Sequence, residues 1–172
     1  MKVGMKYFIA LAFIMVASFS VCASAKITTF QTGPFSASVD LGSSCTQSIA
    51  EPVQDETLGG DQYTYYEVNV CDVKFGFFRY DKILNATDEF GSEDIIKKDF
   101  LAIPGVGEDT IEASSRNING KPGLVAERSV TGFDHQLKAK YYVSQNSYGT
   151  ISTYNETMMK SILRTILVNE TT

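Results

Sequence analysis

The chain has 172 residues, among them 15 basic and 20 acidic side chains, a single histidine, three cysteines, nine tyrosines and no tryptophan. A net charge of −5, with nothing more basic than Lys97-Lys98 or the pair Lys138 and Lys140, excludes nucleic acid as a partner, because phosphate binding needs a basic stripe that displaces counterions. No repeat and no Pro/Gly/Ser linker interrupts the chain, which predicts one domain behind whatever leader the sequence carries.

The leader comes first. Lys2 and Lys6 precede an uncharged apolar run from Tyr7 to Val21, and the small residues Ala23, Ser24 and Ala25 follow it. That order is the layout of a secretory signal peptide. The run is shorter than the roughly 20 residues that cross a bilayer comfortably. The sequence therefore predicts a signal peptide over 1–25, cut before Lys26, and a single α+β domain over 26–172 with no stable membrane insertion after cleavage. An uncleaved anchor over Tyr7 to Ala25 is the alternative. Val21 and Phe19 stand where a lipoprotein would carry a small residue and a leucine, which argues against lipidation of Cys22. Removing Lys2 and Lys6 takes the 15 basic residues to 13 against 20 acidic, a net charge of −7. Removing Cys22 leaves Cys45 and Cys71 as an even pair in a chain bound for a secreted or extracytoplasmic location, either cell surface or periplasm. A Cys45–Cys71 disulfide is the expectation, contributing roughly 3 kcal/mol by restricting the unfolded chain.

In the domain itself, Phe35, Ala37, Val39 and Leu41 alternate with Ser36, Ser38 and Asp40, the period of a half-buried strand. Tyr63 to Val70 and Val73 to Tyr80 are rich in aromatic and β-branched residues and predict one long bent strand or two adjacent ones, with Leu58-Gly59-Gly60-Asp61 turning the chain into them. A short helix follows: Ser92 is its N-cap, Glu93 and Asp94 favour its first turn, Ile96, Phe100 and Ile103 share a face, and Pro104-Gly105 ends it. Asn119-Gly120 predicts a type I′ hairpin between two strands, since both residues accept positive φ. The surrounding glycines match no phosphate-binding spacing, and no cofactor is predicted. Leu137, Ala139, Tyr141 and Val143 alternate with Gln136, Lys138, Lys140, Tyr142 and Ser144, and Asn146 to Gly149 turns the chain into a further strand. Met159, Ile162, Leu163, Ile166 and Leu167 fall at the places of an amphipathic C-terminal helix. Together these elements predict an α+β domain, a mainly antiparallel sheet with packed helices.

This order of elements, from "FSASVDL" through the helix at "EDIIKKDFL" and the hairpin "INGKPGLVAER" to "MMKSILRTI", resembles the extracytoplasmic proteins of PsbP/Mog1-like fold. The resemblance implies a non-catalytic, accessory or binding role and carries over no site residue.

The chemistry-bearing residues are few. His135 is the sole histidine; Asp134 beside it would face the other way on a strand, and Ser129 and Ser144 are the conceivable nucleophiles. The acids Asp88, Glu89, Glu93 and Asp94 lack the spacing of a calcium loop, so no metal is predicted. Glu51, Asp55, Glu56, Glu67 and Glu127 are the carboxylates a hydrolase would draw on. Three Asn-x-Thr triplets make Asn85, Asn155 and Asn169 candidate glycosylation sites in an exported chain. Tyrosine is the unusual component. Tyr63, Tyr65 and Tyr142, gathered on one sheet face, would form a recognition surface, because the ring joins apolar area to a polar tip. The predicted function is an exported, non-enzymatic accessory or binding protein with no catalytic residue, its partner an extracytoplasmic protein or a small ligand. The alternative is a small secreted hydrolase using carboxylates or His135.

Overall fold

The computed structural model describes residues 26–101, 110–129 and 135–171. The expected signal peptide, together with Ile103, Pro104-Gly105 and Asp134, lies outside the described residues.

Among the described residues, eleven strands build two antiparallel sheets. Strands β1 (Ile27–Thr32), β2 (Phe35–Asp40) and β11 (Leu167–Glu170) form a small sheet with β2 in the middle. Strands β3 (Gln47–Ile49), β4 (Val53–Glu56), β5 (Gln62–Val70), β6 (Val73–Tyr80), β7 (Thr110–Ile118), β8 (Lys121–Ser129), β9 (Gln136–Ser144) and β10 (Ser147–Thr153) form a large one, ordered β3-β5-β6-β10-β9-β8-β7 with β4 also on β5. Three helices are described: α1 (Ala86–Phe90), α2 (Asp94–Leu101) and α3 (Glu156–Thr165).

Alternation along the strands decides which side each residue faces. On β6, Val73, Phe75 and Phe77 are buried against the small sheet; on β9, Leu137, Ala139, Tyr141 and Val143 do the same. Phe35 of β2 stacks on Phe77 at 4.8 Å, and Phe30 of β1 meets Phe75 at 4.8 Å. Met159, Ile162 and Ile166 close this first core, so α3 lies beside the small sheet. A second core lies on the opposite face of the large sheet. There Phe90 of α1 and Ile96 and Phe100 of α2 pack on Tyr80, Leu124, Ala126 and Tyr148. Each fully buried side chain of this size stabilises the fold by roughly 1.5–3 kcal/mol, which explains how a five-residue α1 persists at all.

The hairpin at Asn119-Gly120 forms with φ of 51° and 80°, and the long aromatic segment resolves into two antiparallel strands joined at Cys71-Asp72. Cys45 and Cys71 are disulfide-bonded with Cα atoms 5.2 Å apart, which links the loop after β2 to the β5–β6 turn. Three expectations need correction. Strand dominates over helix, so the domain is mostly antiparallel β, with three short helices, rather than a balanced α+β fold. The predicted C-terminal helix does not run to the end: α3 stops at Thr165, Ile166 is extended at φ −64° and ψ 124°, Leu167 is exposed, and the chain leaves as β11 along β2. The reason is that β2 offers an unpaired edge, on which Leu167–Glu170 pairs in register with Phe35–Ser38. The last hairpin also turns earlier than expected, with β10 starting at Ser147.

Candidate functional site

Register places one residue from each of four strands in line on the helix-bearing face of the large sheet. Tyr65 pairs with Phe78, Phe78 with Tyr148, and Tyr148 with Tyr142, giving an aromatic row across β5, β6, β10 and β9. Ring centroids are 4.6 Å apart from Tyr65 to Phe78 and 4.8 Å from Phe78 to Tyr148. Tyr63 packs on Phe78 and Tyr80 beside this row, and Tyr142 meets Phe90 edge-on at 6.2 Å. All three tyrosines of the predicted surface thus share a face, but they are half-buried, Tyr142 against Phe90 of α1. Phe78 and Tyr148, which join them, escaped the sequence reading; the signal available was their spacing within alternating segments.

Two polar rows continue the same face. Glu67, Gly76, Thr150 and Lys140 form one, and Asn69, Lys74, Ser152 and Lys138 the next. Gly76 is required there: a Cβ would come within 2.6 Å of Thr150 Oγ1 and 2.8 Å of Tyr65 Cε2, so the tyrosine lies directly over the glycine. Thr150 and Lys140 of the first row and all four residues of the second floor an open groove of about 1310 Å³, bounded by Asp99 of α2 and by Tyr154, Asn155, Glu156 and Thr157 at the start of α3.

Glu67, Lys138 and Lys140 on this face each have a polar partner. Tyr65 Oη donates to Glu67 Oε2 at 2.9 Å, Asn69 Nδ2 donates to Glu67 Oε1 at 3.0 Å, and Lys74 Nζ lies 3.2 Å from Glu67 Oε2. Burial pushes the Glu67 carboxyl up, but donation from Asn69, Tyr65 and Lys74 outweighs it and holds the group below its ordinary value. The Tyr65 hydroxyl is raised, first by burial and then by Glu67. Lys140 is buried under α1, where it pairs with Glu89 and lies 4.0 Å from the Tyr148 ring centroid. Lys138 donates to the Asp99 carbonyl at 2.9 Å and sits over the Phe100 ring. Burial lowers Lys138 and raises Asp99, each opposed by the other's charge. Asp99 is nevertheless an exposed residue, so solvent screens this pair and we attach no stabilisation to it.

The remaining predicted residues lie elsewhere. His135 Nδ1 is 2.8 Å from Glu127 Oε1, on the opposite face of the large sheet from the groove. Ser144, at the far end of β9 from His135, donates to Glu170 Oε2 at 2.6 Å, and Ser129 sits in register with Thr110. Asp55 accepts from Tyr63 Oη at 3.3 Å, and Glu56 from Gln62 at 2.5 Å. Of the acidic cluster, Glu89 is taken by Lys140 and Glu93 by the Ser115 amide. No group of three or more metal-ligating side chains occurs among the described residues, nor is any described helix long and apolar enough to cross a membrane. Asn85 and Asn155 cap α1 and α3 by accepting from Thr87 N and Met158 N, and Asn169 is exposed on β11. No protein-family model, no curated protein and no solved structure matches the chain.

Proposed function

We propose that the chain is an exported, non-enzymatic binding protein that takes an uncharged polar ligand into the groove of the large sheet. The observation that carries this reading is the floor itself: two in-register polar rows beside an aromatic row, open to solvent over about 1310 Å³. Its charges balance, with Lys74, Lys138 and Lys140 against Asp72, Asp99 and Glu156. Amides of Asn69, Gln136 and Asn155, hydroxyls of Thr150, Ser152 and Thr157, and the exposed ring of Tyr154 suit a ligand that offers hydroxyl or amide groups and one apolar face.

Export is supported by the order of charge, apolar run and small residues before Lys26, and the Cys45–Cys71 disulfide is compatible with an oxidising compartment. The element order that resembles PsbP/Mog1-like proteins belongs to the same reading. The hydrolase alternative draws no support from geometry that sets Ser144 at the far end of β9 from His135 and bonds it to Glu170.

The test is native mass spectrometry of the protein purified from its host, beside a Thr150→Arg variant whose side chain fills the groove. An extra non-covalent mass in the wild type that the variant loses is the expected result. A wild type that retains nothing and gives no thermal shift with uncharged saccharides or short neutral peptides overturns the proposal, as does a ligand that survives Thr150→Arg. Turnover abolished by His135→Ala in a hydrolase screen would favour the alternative.

A further inference from the structure

The first described residue is already bonded. The backbone nitrogen of Lys26 donates to Asp40 Oδ1 at 3.1 Å, one residue outside the β1–β2 ladder, whose last pair is Ile27 with Asp40. Asp40 is held from every side. Its amide donates to Thr165 Oγ1 at 3.0 Å, its carbonyl accepts from Ser161 Oγ at 2.9 Å, and Oδ1 also accepts from Gly42 N at 2.9 Å. Two side chains of α3 thus fix the backbone that aims this carboxylate at Lys26. Lys26 and Ile27 are both exposed.

We propose that hydrolysis of the Ala25–Lys26 bond completes this contact: the α-ammonium created on Lys26 pairs with the Asp40 carboxylate and fastens β1 to the end of β2. The step is a peptide hydrolysis by an endopeptidase of the export machinery. Water adds across the C–N bond, Ala25 leaves as a carboxylate, and Lys26 keeps the amine, which is protonated at neutral pH. A peptide nitrogen brings one hydrogen and no net charge. The ammonium brings three donors and a full positive charge, so a hydrogen bond from a neutral amide becomes an ion pair with the same carboxylate. Ala23-Ser24-Ala25 supplies the small residues such a cut requires. The processing half of the proposal rests on the export reading above; the pairing half rests on the geometry of Asp40.

Two measurements separate these halves. The protein from its host is sequenced from its N-terminus. A recombinant chain starting at Lys26 is then prepared with a free and with an acetylated amine, each as wild type and as Asp40→Asn, which keeps the oxygen that Gly42 N needs. The expected host N-terminus is Lys26. By NMR titration, the wild-type α-amine keeps its proton to higher pH than the amine of Asp40→Asn, because an opposite charge favours the charged form. Acetylation lowers Tm by about 1–3 °C in the wild type and by less in Asp40→Asn. A different N-terminus overturns the proposal at its processing step and leaves the groove reading standing. Superimposable amine titrations in the two backgrounds overturn it at the pairing step, whatever ligand the groove is found to hold.

Discussion

At the scale of single residues, Glu67 is the side chain that holds Asn69 and Lys74 at the edge of the groove. It accepts from Tyr65, Asn69 and Lys74 and is held below its ordinary carboxyl value of 4.5 by those donors despite its burial. In the unfolded chain the donors are gone and the carboxyl takes a proton more readily. A group depressed on folding contributes stability that is fully present above its unfolded pKa and is lost as pH falls through the folded one. The stability gap between wild type and Glu67→Gln, read from urea midpoints, should therefore be widest near pH 7 and close as pH falls below about 4.5. A gap that stays constant from pH 7 to pH 3 would mean that the carboxylate charge contributes nothing here. None of this was legible in the sequence, where Glu67 is one acid among several. Its role depends on Gly76, which leaves room for the Tyr65 ring to lie flat and reach the carboxylate.

Whole elements differ in how plainly the sequence announces them, and the difference follows from burial. Strands β2 and β9 bury every second residue, and α2 buries Ile96 and Phe100 on one side, so their periods stand out. Strands β3 and β4 are exposed along their whole length and carry no period to find. Strand β11 was hidden by coincidence: Ile166 and Leu167 continue the helical spacing of α3, and only pairing with β2 distinguishes the two outcomes. Helix α1, five residues long, is too short for periodicity; it exists because Asn85 caps it, Phe90 anchors it and Glu89 pairs with the buried Lys140. That last contact also explains why Lys140 is buried on the second face of β9, which α1 covers. Glu89→Gln leaves the buried ammonium without its counter-charge and should cost about 2 kcal/mol. Amide exchange should accelerate through α1 while Phe75 and Phe77 in the other core stay protected. Uniform acceleration across both cores would show that α1 does not open as a separate unit.

For the molecule as a whole, the question is what keeps a three-stranded sheet seated on an eight-stranded one. Apolar packing of Phe30 and Phe35 on Phe75 and Phe77 fills the middle, and each end carries its own staple. At one end the Cys45–Cys71 disulfide joins the β2 exit to the β5–β6 turn, holding Cys71 at a φ of 54° that costs about 1–2 kcal/mol in a residue other than glycine. At the other end Glu170 of β11 takes hydrogen bonds from Ser144 at 2.6 Å and Ser147 at 2.7 Å and an ion pair from Arg79 at 3.0 Å. Strand β6 runs between these ends, a separation on the order of 25 Å for a strand of its length. Sites that far apart with no shared partner contribute independently. Replacing both cysteines by serine should cost about 3 kcal/mol, and Glu170→Ala about 2 kcal/mol. The triple variant should lose the sum to within about 0.5 kcal/mol, and Cys71→Gly in place of serine should recover about 1 kcal/mol by relieving the turn. Denaturant unfolding of the wild type and the four variants decides the matter. If the triple variant loses much less than the sum, one broken staple already frees the small sheet. A loss well above the sum would mean that each staple holds the other end in register through β2, and the two sheets would then be one cooperative body.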